Sequence, residues 1–180
     1  MASICGYMAV SLDGFIADAE GGIGWLKPFD SVDFGYERFI AGIDTVVMGR
    51  LTFEQILSFE SGWLYAGKRG LIVTSRPLAA APAGVSAWHG DVAELIAELR
   101  AGDGAAWVVG GAQLQAAFLA AGGLDRLDLF VIPLLLGDGV RLFPPGAVGS
   151  TSLALRESEA LPLGMVRLAY DIAGSPEPRG

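Results

Sequence analysis

Cysteine and histidine occur once each, as Cys5 and His89, and both scarcities limit the chemistry available. A single cysteine forms no intrachain disulfide. One histidine and one cysteine, far apart in sequence, do not make a zinc site of nitrogen and sulfur ligands. Positive charge is also scarce: 12 Lys and Arg stand against 20 Asp and Glu, a formal net charge of −8. A protein that neutralises a nucleic-acid backbone needs a basic face, so no nucleic-acid partner is expected. Long hydrophobic runs are missing too. The longest, Leu129 to Leu136, contains Pro133 and is far too short to cross a bilayer, so it reads as buried strand and no membrane association is expected. The N-terminus carries no basic segment followed by a long apolar one, which makes the cytoplasm the expected location. There is no GxSxG elbow, no Walker A motif and no GxGxxG fingerprint. Any chemistry is expected to ride on a bound cofactor.

What the chain has is core-forming material and a repeated pattern. Hydrophobic residues make up 52% of the 180 and charged ones only 18%, which predicts a folded domain over residues 1–173, followed by a flexible tail over 174–180 rich in Gly and Pro. Ile4 to Ser11 reads as a first strand that Asp13-Gly14 ends. Phe15 to Trp25, with Gly21, Gly22 and Gly24 close together, reads as a mobile loop anchored by Trp25. Asp30, Ser31 and Asp33 read as the start of a helix that runs to Gly42, because carboxylates and hydroxyls satisfy first-turn N–H groups. Asp44 to Met48 is a buried strand that passes through Gly49 into a second helix. Leu71 to Thr74 and Val85 to Trp88 read as further strands, and Val92, Leu95, Ile96 and Leu99 recur at helical spacing over Asp91 to Ala101. Ala106 to Val109 is a strand that turns through Gly110-Gly111 into a helix. Arg126 to Pro133, Ser152 to Ser158 and Met165 to Ile172 are strands alone, the last two an antiparallel pair. Alternating elements followed by strands predict an α/β sheet with an antiparallel C-terminal edge.

Three of the strand ends carry groups suited to phosphates. Gly110-Gly111 leaves helix N–H groups bare, Gly49-Arg50-Leu51-Thr52 adds a guanidinium and a hydroxyl at a helix start, and Thr74-Ser75-Arg76 adds two hydroxyls and a guanidinium. In an open α/β sheet such groups converge at the carboxyl ends of the strands. Two helix N-termini hold a pyrophosphate, and the remaining cation and hydroxyls hold one more phosphate. A dinucleotide with a 2′-phosphate has these needs, so NADPH is expected rather than NADH.

The same stretches, in the same order, resemble the dihydrofolate reductase superfamily. They are Met8 to Ala17, Val46 to Glu54, Ile72 to Arg76, Val108 to Gly111, and Leu124-Asp125-Arg126-Leu127 through Pro133 to Gly139. The closer resemblance is to the reductase domain forming the C-terminal half of the bifunctional deaminase-reductase of riboflavin biosynthesis (the RibD C-terminal domain), and to its stand-alone relatives. It implies a three-layer α/β fold with a mostly parallel central sheet and helices on both faces. It further implies Ala9 and Ile16 beside a nicotinamide, Gly49, Arg50 and Thr52 on phosphates, Thr74, Ser75 and Arg76 at a 2′-phosphate, and Val109, Gly110, Gly111, Ala112, Gln113 and Leu114 over the pyrophosphate. Asp18 to Gly24 would close over the reacting centre. Asp33 would be the catalytic carboxylate that pairs with the amino-pyrimidine edge of a substrate and favours protonation of its imine nitrogen. A homodimer is implied as well.

The departures are specific. No His-x-Glu with Pro-Cys-x-x-Cys occurs, so no deaminase half is expected. Phe39 to Asp44 holds no arginine, where the bifunctional reductase has one to serve a substrate phosphate. Gln115 stands in place of an aromatic residue, and Gly24 rather than proline precedes Trp25. The expected activity is NADPH-dependent reduction of a pyrimidine- or pterin-type heterocycle, resembling 5-amino-6-(5-phosphoribosylamino)uracil reductase. The alternatives are dihydrofolate reduction and a non-catalytic nucleotide-binding module that uses Leu129 to Leu136 as an interface.

Overall fold

The computed structural model describes residues 2–172; the expected tail, residues 174–180, lies outside them. In chain order the elements are β1 (Ser3–Ser11), β2 (Phe15–Ala17), α1 (Tyr36–Ala41), β3 (Thr45–Gly49), α2 (Arg50–Leu57), β4 (Arg69–Val73), β5 (Val85–Trp88), α3 (Val92–Ala101), β6 (Ala105–Gly110), α4 (Ala112–Ala120), β7 (Arg126–Ile132), β8 (Val140–Arg141), β9 (Leu153–Ala160) and β10 (Val166–Ile172). An eight-stranded sheet has the order β5-β4-β3-β6-β1-β7-β10-β9, and β2 pairs with β8 in a small second sheet. The first six strands of the large sheet are parallel, and β10 and β9 are antiparallel. No helix among the described residues is long and apolar enough to cross a membrane.

Successive side chains of a strand point to opposite faces, and here both faces are buried. Ile4, Val47, Leu71 and Val108 pack on one face with Leu95 and Leu99 of α3 and Leu114 and Phe118 of α4. Cys5, Val46, Met48, Ile72 and Trp107 pack on the other with Phe53 and Ile56 of α2, and α1 covers that face with Phe39 and Ile40. The result is the expected three-layer arrangement. Each fully buried Val, Leu, Ile or Phe contributes about 1.5–3 kcal/mol relative to exposure, so both layers are needed for stability.

Local chemistry fixes both ends of α3. Asp91 caps α3 by accepting the Glu94 N–H at 2.7 Å, while Glu94 accepts the Asp91 N–H at 3.3 Å, a reciprocal capping box. Asp125 fastens the far end of α3: its carboxylate takes Arg100 at 2.8 Å and the Ile4 N–H at 2.7 Å, tying α3, β1 and the start of β7 together.

Two expectations are corrected. The helix expected from Asp30 begins only at Tyr36, because Gly35 before it sits at φ 79°, a left-handed turn that breaks any helix entering from 30–33. A 3₁₀ turn over Gly24–Phe29 comes first, carrying Pro28, and Trp25 packs against the core there. Phe15–Ala17, expected as loop, is strand paired with Val140 and Arg141, because Ala17 and Phe15 are buried under that partner.

Candidate functional site

Strand order brings the site together. Because β6 lies between β3 and β1, the carboxyl ends of three strands meet, and Met48 pairs with Gly110 across β3 and β6. Gly49 and Gly111, the residues just beyond that pair, are the N-cap residues of α2 and α4. Neither helix has a side-chain cap, so the first N–H groups of both are free for a ligand. A Cβ on Gly49 would lie 3.9 Å from the Gly111 nitrogen, and one on Gly111 would lie 3.5 Å from Thr52 Oγ1. Two positive helix ends thus face one small space that glycine keeps open. This is the donor set an anionic diphosphate requires.

The space continues into a cleft of about 1650 Å3. A typical small-molecule pocket is about 300–1,000 Å3, so the cleft has room for two ligands side by side. One half is the glycine cradle just described. The other is walled by aromatic side chains, with Tyr7, Phe34, Tyr36, Tyr65, Trp107 and Phe130 all lining it. These rings hold one another. Tyr7 stacks on Phe39 at 3.9 Å between centroids, and Trp107 meets Phe39 edge-on at 5.2 Å and Tyr65 edge-on at 5.6 Å.

The polar groups of this half are mostly uncommitted. The Tyr7 hydroxyl donates to the Phe34 carbonyl at 2.9 Å. Tyr36 and Tyr65 make no hydrogen bond through their hydroxyls among the described residues, and the buried Trp107 indole N–H has no acceptor. Burial lifts the Tyr7, Tyr65 and Tyr36 hydroxyls above their usual range, so all three remain proton donors at neutral pH. Burial also pushes the Cys5 thiol up to about 12, which leaves it an inert core residue.

The loop above the cleft is organised by two aspartates. Asp18 Oδ1 accepts the Glu20 and Gly22 N–H groups at 3.1 and 2.6 Å, which folds the glycine-rich segment on itself. Gln55 of α2 then donates to the Gly21 carbonyl at 3.0 Å and clasps the segment against the cleft. Asp13 accepts from Ser11 Oγ at 2.6 Å and from the Leu136 and Gly137 N–H groups at 3.1 and 2.7 Å. Those bonds, the Ser11 one foremost, hold its carboxyl down at about 2. They also fix the Gly137-Asp138-Gly139 turn that lines the cleft.

Ala9, Ile16, Gly49, Arg50, Thr52, Val109, Gly110, Gly111, Ala112, Gln113 and Leu114 all line this cleft. Thr74, Ser75 and Arg76 are not among the lining residues. They form a tight turn outside it, in which Thr74 Oγ1 accepts the Arg76 N–H at 3.1 Å. The turn is nevertheless tied to the cradle, since Arg50 donates to the Pro77 carbonyl at 3.3 Å. Asp33 does not line the cleft either. It is exposed, and its Oδ1 accepts the Gly35 N–H at 2.9 Å, the bond that closes the left-handed turn before α1. The carboxylates that line the cleft are Glu20, Asp138 and Asp30, the last at the end of the 3₁₀ turn. The aromatic wall was absent from the residue-level expectation, although strand period two contained part of it: Tyr7 shares a face with Ala9, and Trp107 with Val109.

The strand order, the layers and the glycine cradle define a dihydrofolate reductase-like fold. The solved structure of dihydrofolate reductase from Enterococcus faecalis, complexed with NADP(H), superposes with a TM-score of 0.66 at 21% identity, over 95% of this chain and 96% of that one. The chain belongs to the RibD C-terminal domain family, whose sequence profile matches residues 67–167. A protein of Shewanella sp. PV-4 described under riboflavin biosynthesis is similar at 32% identity, with a TM-score of 0.82 over 96% of this chain and 99% of that one. The uncharacterized protein YwjB of Bacillus subtilis (strain 168) is 34% identical over 139 residues, 76% of this chain and 80% of its own.

Proposed function

We propose that this chain is an NADPH-dependent reductase that delivers hydride to a C=N or C=O carbon of a pyrimidine- or pterin-type heterocycle. The observation that carries the reading is the pair of uncapped helix N-termini at Gly49 and Gly111, opening onto a cleft large enough for a dinucleotide and a ring. The residues present fit such a cofactor. The α2 and α4 N–H groups and Thr52 would hold the pyrophosphate, and the Arg76 guanidinium, exposed and without an ion-pair partner among the described residues, would serve the 2′-phosphate. Ala9 and Ile16 would flank the nicotinamide. NADPH, when bound, supplies the hydride.

The chain's own groups do the rest. Asp30, whose carboxylate lines the cleft, would accept from an amino group of the heterocycle and favour protonation of the adjoining imine nitrogen. This role moves from Asp33 to Asp30, because Asp33 is committed to the Gly35 turn and does not line the cleft. The Asp18–Gly22 segment, clasped by Gln55, excludes water above the reacting centre.

The testing experiment follows the loss of NADPH absorbance against a panel of amino-pyrimidines and pterins. Turnover by at least one of them is expected, with NADPH raising the melting temperature progressively as its concentration exceeds its Kd. No thermal shift and no oxidation with any ring would refute the reading.

A further inference from the structure

Cations are scarce in the cleft, and one of them is free. Among the described residues that line it, the guanidiniums are Arg50 and Arg141, and there is no lysine or histidine. Arg50 is committed, since it ion-pairs with Glu54 at 2.6 Å and donates to the Pro77 carbonyl at 3.3 Å. Arg141 is exposed and makes no ion pair and no side-chain hydrogen bond among the described residues. Other cations lie elsewhere: Lys27 and Arg38 are exposed and do not line the cleft, and Lys68 donates to the Ile43 carbonyl at 2.6 Å.

The fold holds this free guanidinium in a set place. Arg141 pairs with Phe15 across β8 and β2, and the buried Leu142 after it donates its N–H to the Gly14 carbonyl at 3.0 Å. Just before β8 the two chains run so close that a Cβ on Gly139 would have no room beside the Ala17 carbonyl. The guanidinium carbon lies 4.7 Å from the centroid of the buried Phe15 ring. A ring against the face of a guanidinium restrains its plane and leaves the N–H edge open, the edge that meets a phosphate or carboxylate with two parallel bonds. Asp138, on the turn that leads into β8, gives Oδ1 to the Gly139 N–H at 2.8 Å and forms no ion pair with Arg141.

This place is separate from the glycine cradle. β2 continues from β1, which lies one strand beyond β6 and two beyond β3, so Arg141 stands on the β1 side of the cleft. At about 4.8 Å per strand, that side is about 10 Å across the sheet from the strand that leads into α2. Arg141 instead continues the aromatic half: β7 gives Phe130 and Ile132 to the cleft and runs on through the Gly137-Asp138-Gly139 turn into β8. Arg141 also borders a smaller hollow over Val10, Leu129 and Val131, which puts it at the rim of the cleft and not on its floor.

We infer that Arg141 reads an anionic group, phosphate or carboxylate, on the ligand of the aromatic half, with that ligand's ring against the aromatic wall and its charged tail at the rim. The inference rests on the reductase reading above and extends it: the cleft binds anions at two places, the glycine cradle for the cofactor and Arg141 for the second ligand.

The test is calorimetric titration of the full chain saturated with NADP+, which binds without turnover, using two pairs of probes. One pair is 5-amino-6-(ribosylamino)uracil with and without a 5′-phosphate, and the other is pterin with and without a 6-carboxylate. In at least one pair the charged member is expected to bind about tenfold more tightly than the uncharged one. In Arg141→Gln that advantage is expected to vanish, while NADP+ affinity, affinity for the uncharged member and Tm are unchanged. Arg38→Gln, which removes an equal charge outside the cleft, is expected to keep the advantage. No advantage for either charged member overturns the inference. So does an advantage that survives in Arg141→Gln or disappears in Arg38→Gln as well, or binding of NADP+ with no binding of any probe. A fall in NADP+ affinity in Arg141→Gln gives the guanidinium to the cofactor and overturns it too. Failure of the wild-type chain to bind NADP+ is read separately, in the saturation step, and refutes the reductase reading itself.

Discussion

Replacing Gly49 with alanine separates the cofactor cradle from the stability of the fold. Gly49 has φ −75° and ψ 162°, a conformation open to any residue. A Cβ there meets nothing closer than the Gly111 nitrogen at 3.9 Å and the Gly110 oxygen at 4.0 Å, both ordinary van der Waals distances. The variant should therefore fold. Alanine is a poorer N-cap than glycine, but it also restricts the unfolded chain by about 0.4–1 kcal/mol, so the net change is expected within about 1 kcal/mol of zero. For the cofactor the same methyl is serious, because it occupies the space between the two helix N-termini. An anion that can no longer reach the Gly111 N–H loses one charge-assisted hydrogen bond, worth about 1.5–3 kcal/mol. That is roughly a 10- to 150-fold rise in Kd for NADPH. Urea unfolding and calorimetric titration with NADPH read the two effects on one sample. A Gly49→Ala protein that binds NADPH within twofold of wild type would refute the assignment of this space to a phosphate.

Asp30→Asn is expected to lower kcat by at least about 10²-fold, the usual contribution of a proton-handling group, while Asp33→Asn stays within about twofold; steady-state kinetics on the first substrate found would show the reverse if Asp33 were the acid. Gln115 lies fully buried in α4 with neither amide atom hydrogen-bonded, so Gln115→Met should stabilise by about 1–3 kcal/mol. A thermal melt showing a lower Tm would contradict it. Asp13, held at about 2 by Ser11 and two backbone N–H groups, sits below its unfolded value of about 4. Its contribution is thus fully present above about pH 4 and is lost as pH falls toward 2. Urea midpoints of wild type and Asp13→Asn should differ at pH 7 and converge near pH 2, and a difference independent of pH would overturn the assignment.

The glycine cradle was legible in the sequence because it is local. A buried run that stops at Gly110-Gly111 and resumes with helical spacing states strand, close turn and helix start within fourteen residues or so. The same holds for Val46 to Thr52. The aromatic wall was not legible, since Tyr7, Tyr36, Tyr65 and Trp107 come from four distant stretches and meet only through the strand order β3-β6-β1. The turn at Asp33 was not legible for a local reason: carboxylates suit both helix starts and turns, and Gly35 at φ 79° made this one a turn. Gln115 was legible as an odd residue in an apolar helix, and its tight fit explains Gly6, where a Cβ would lie 2.1 Å from the Gln115 amide nitrogen.

The most direct measurement is an equilibrium titration of the wild-type chain with NADPH and, separately, with NADH. Saturable binding of both is expected, with NADPH tighter by about 10- to 150-fold for the charge-assisted bonds that Arg76 and its neighbours would give the 2′-phosphate. Equal affinity for the two would remove the 2′-phosphate assignment, and absence of binding by either would contradict a dinucleotide site in this cleft.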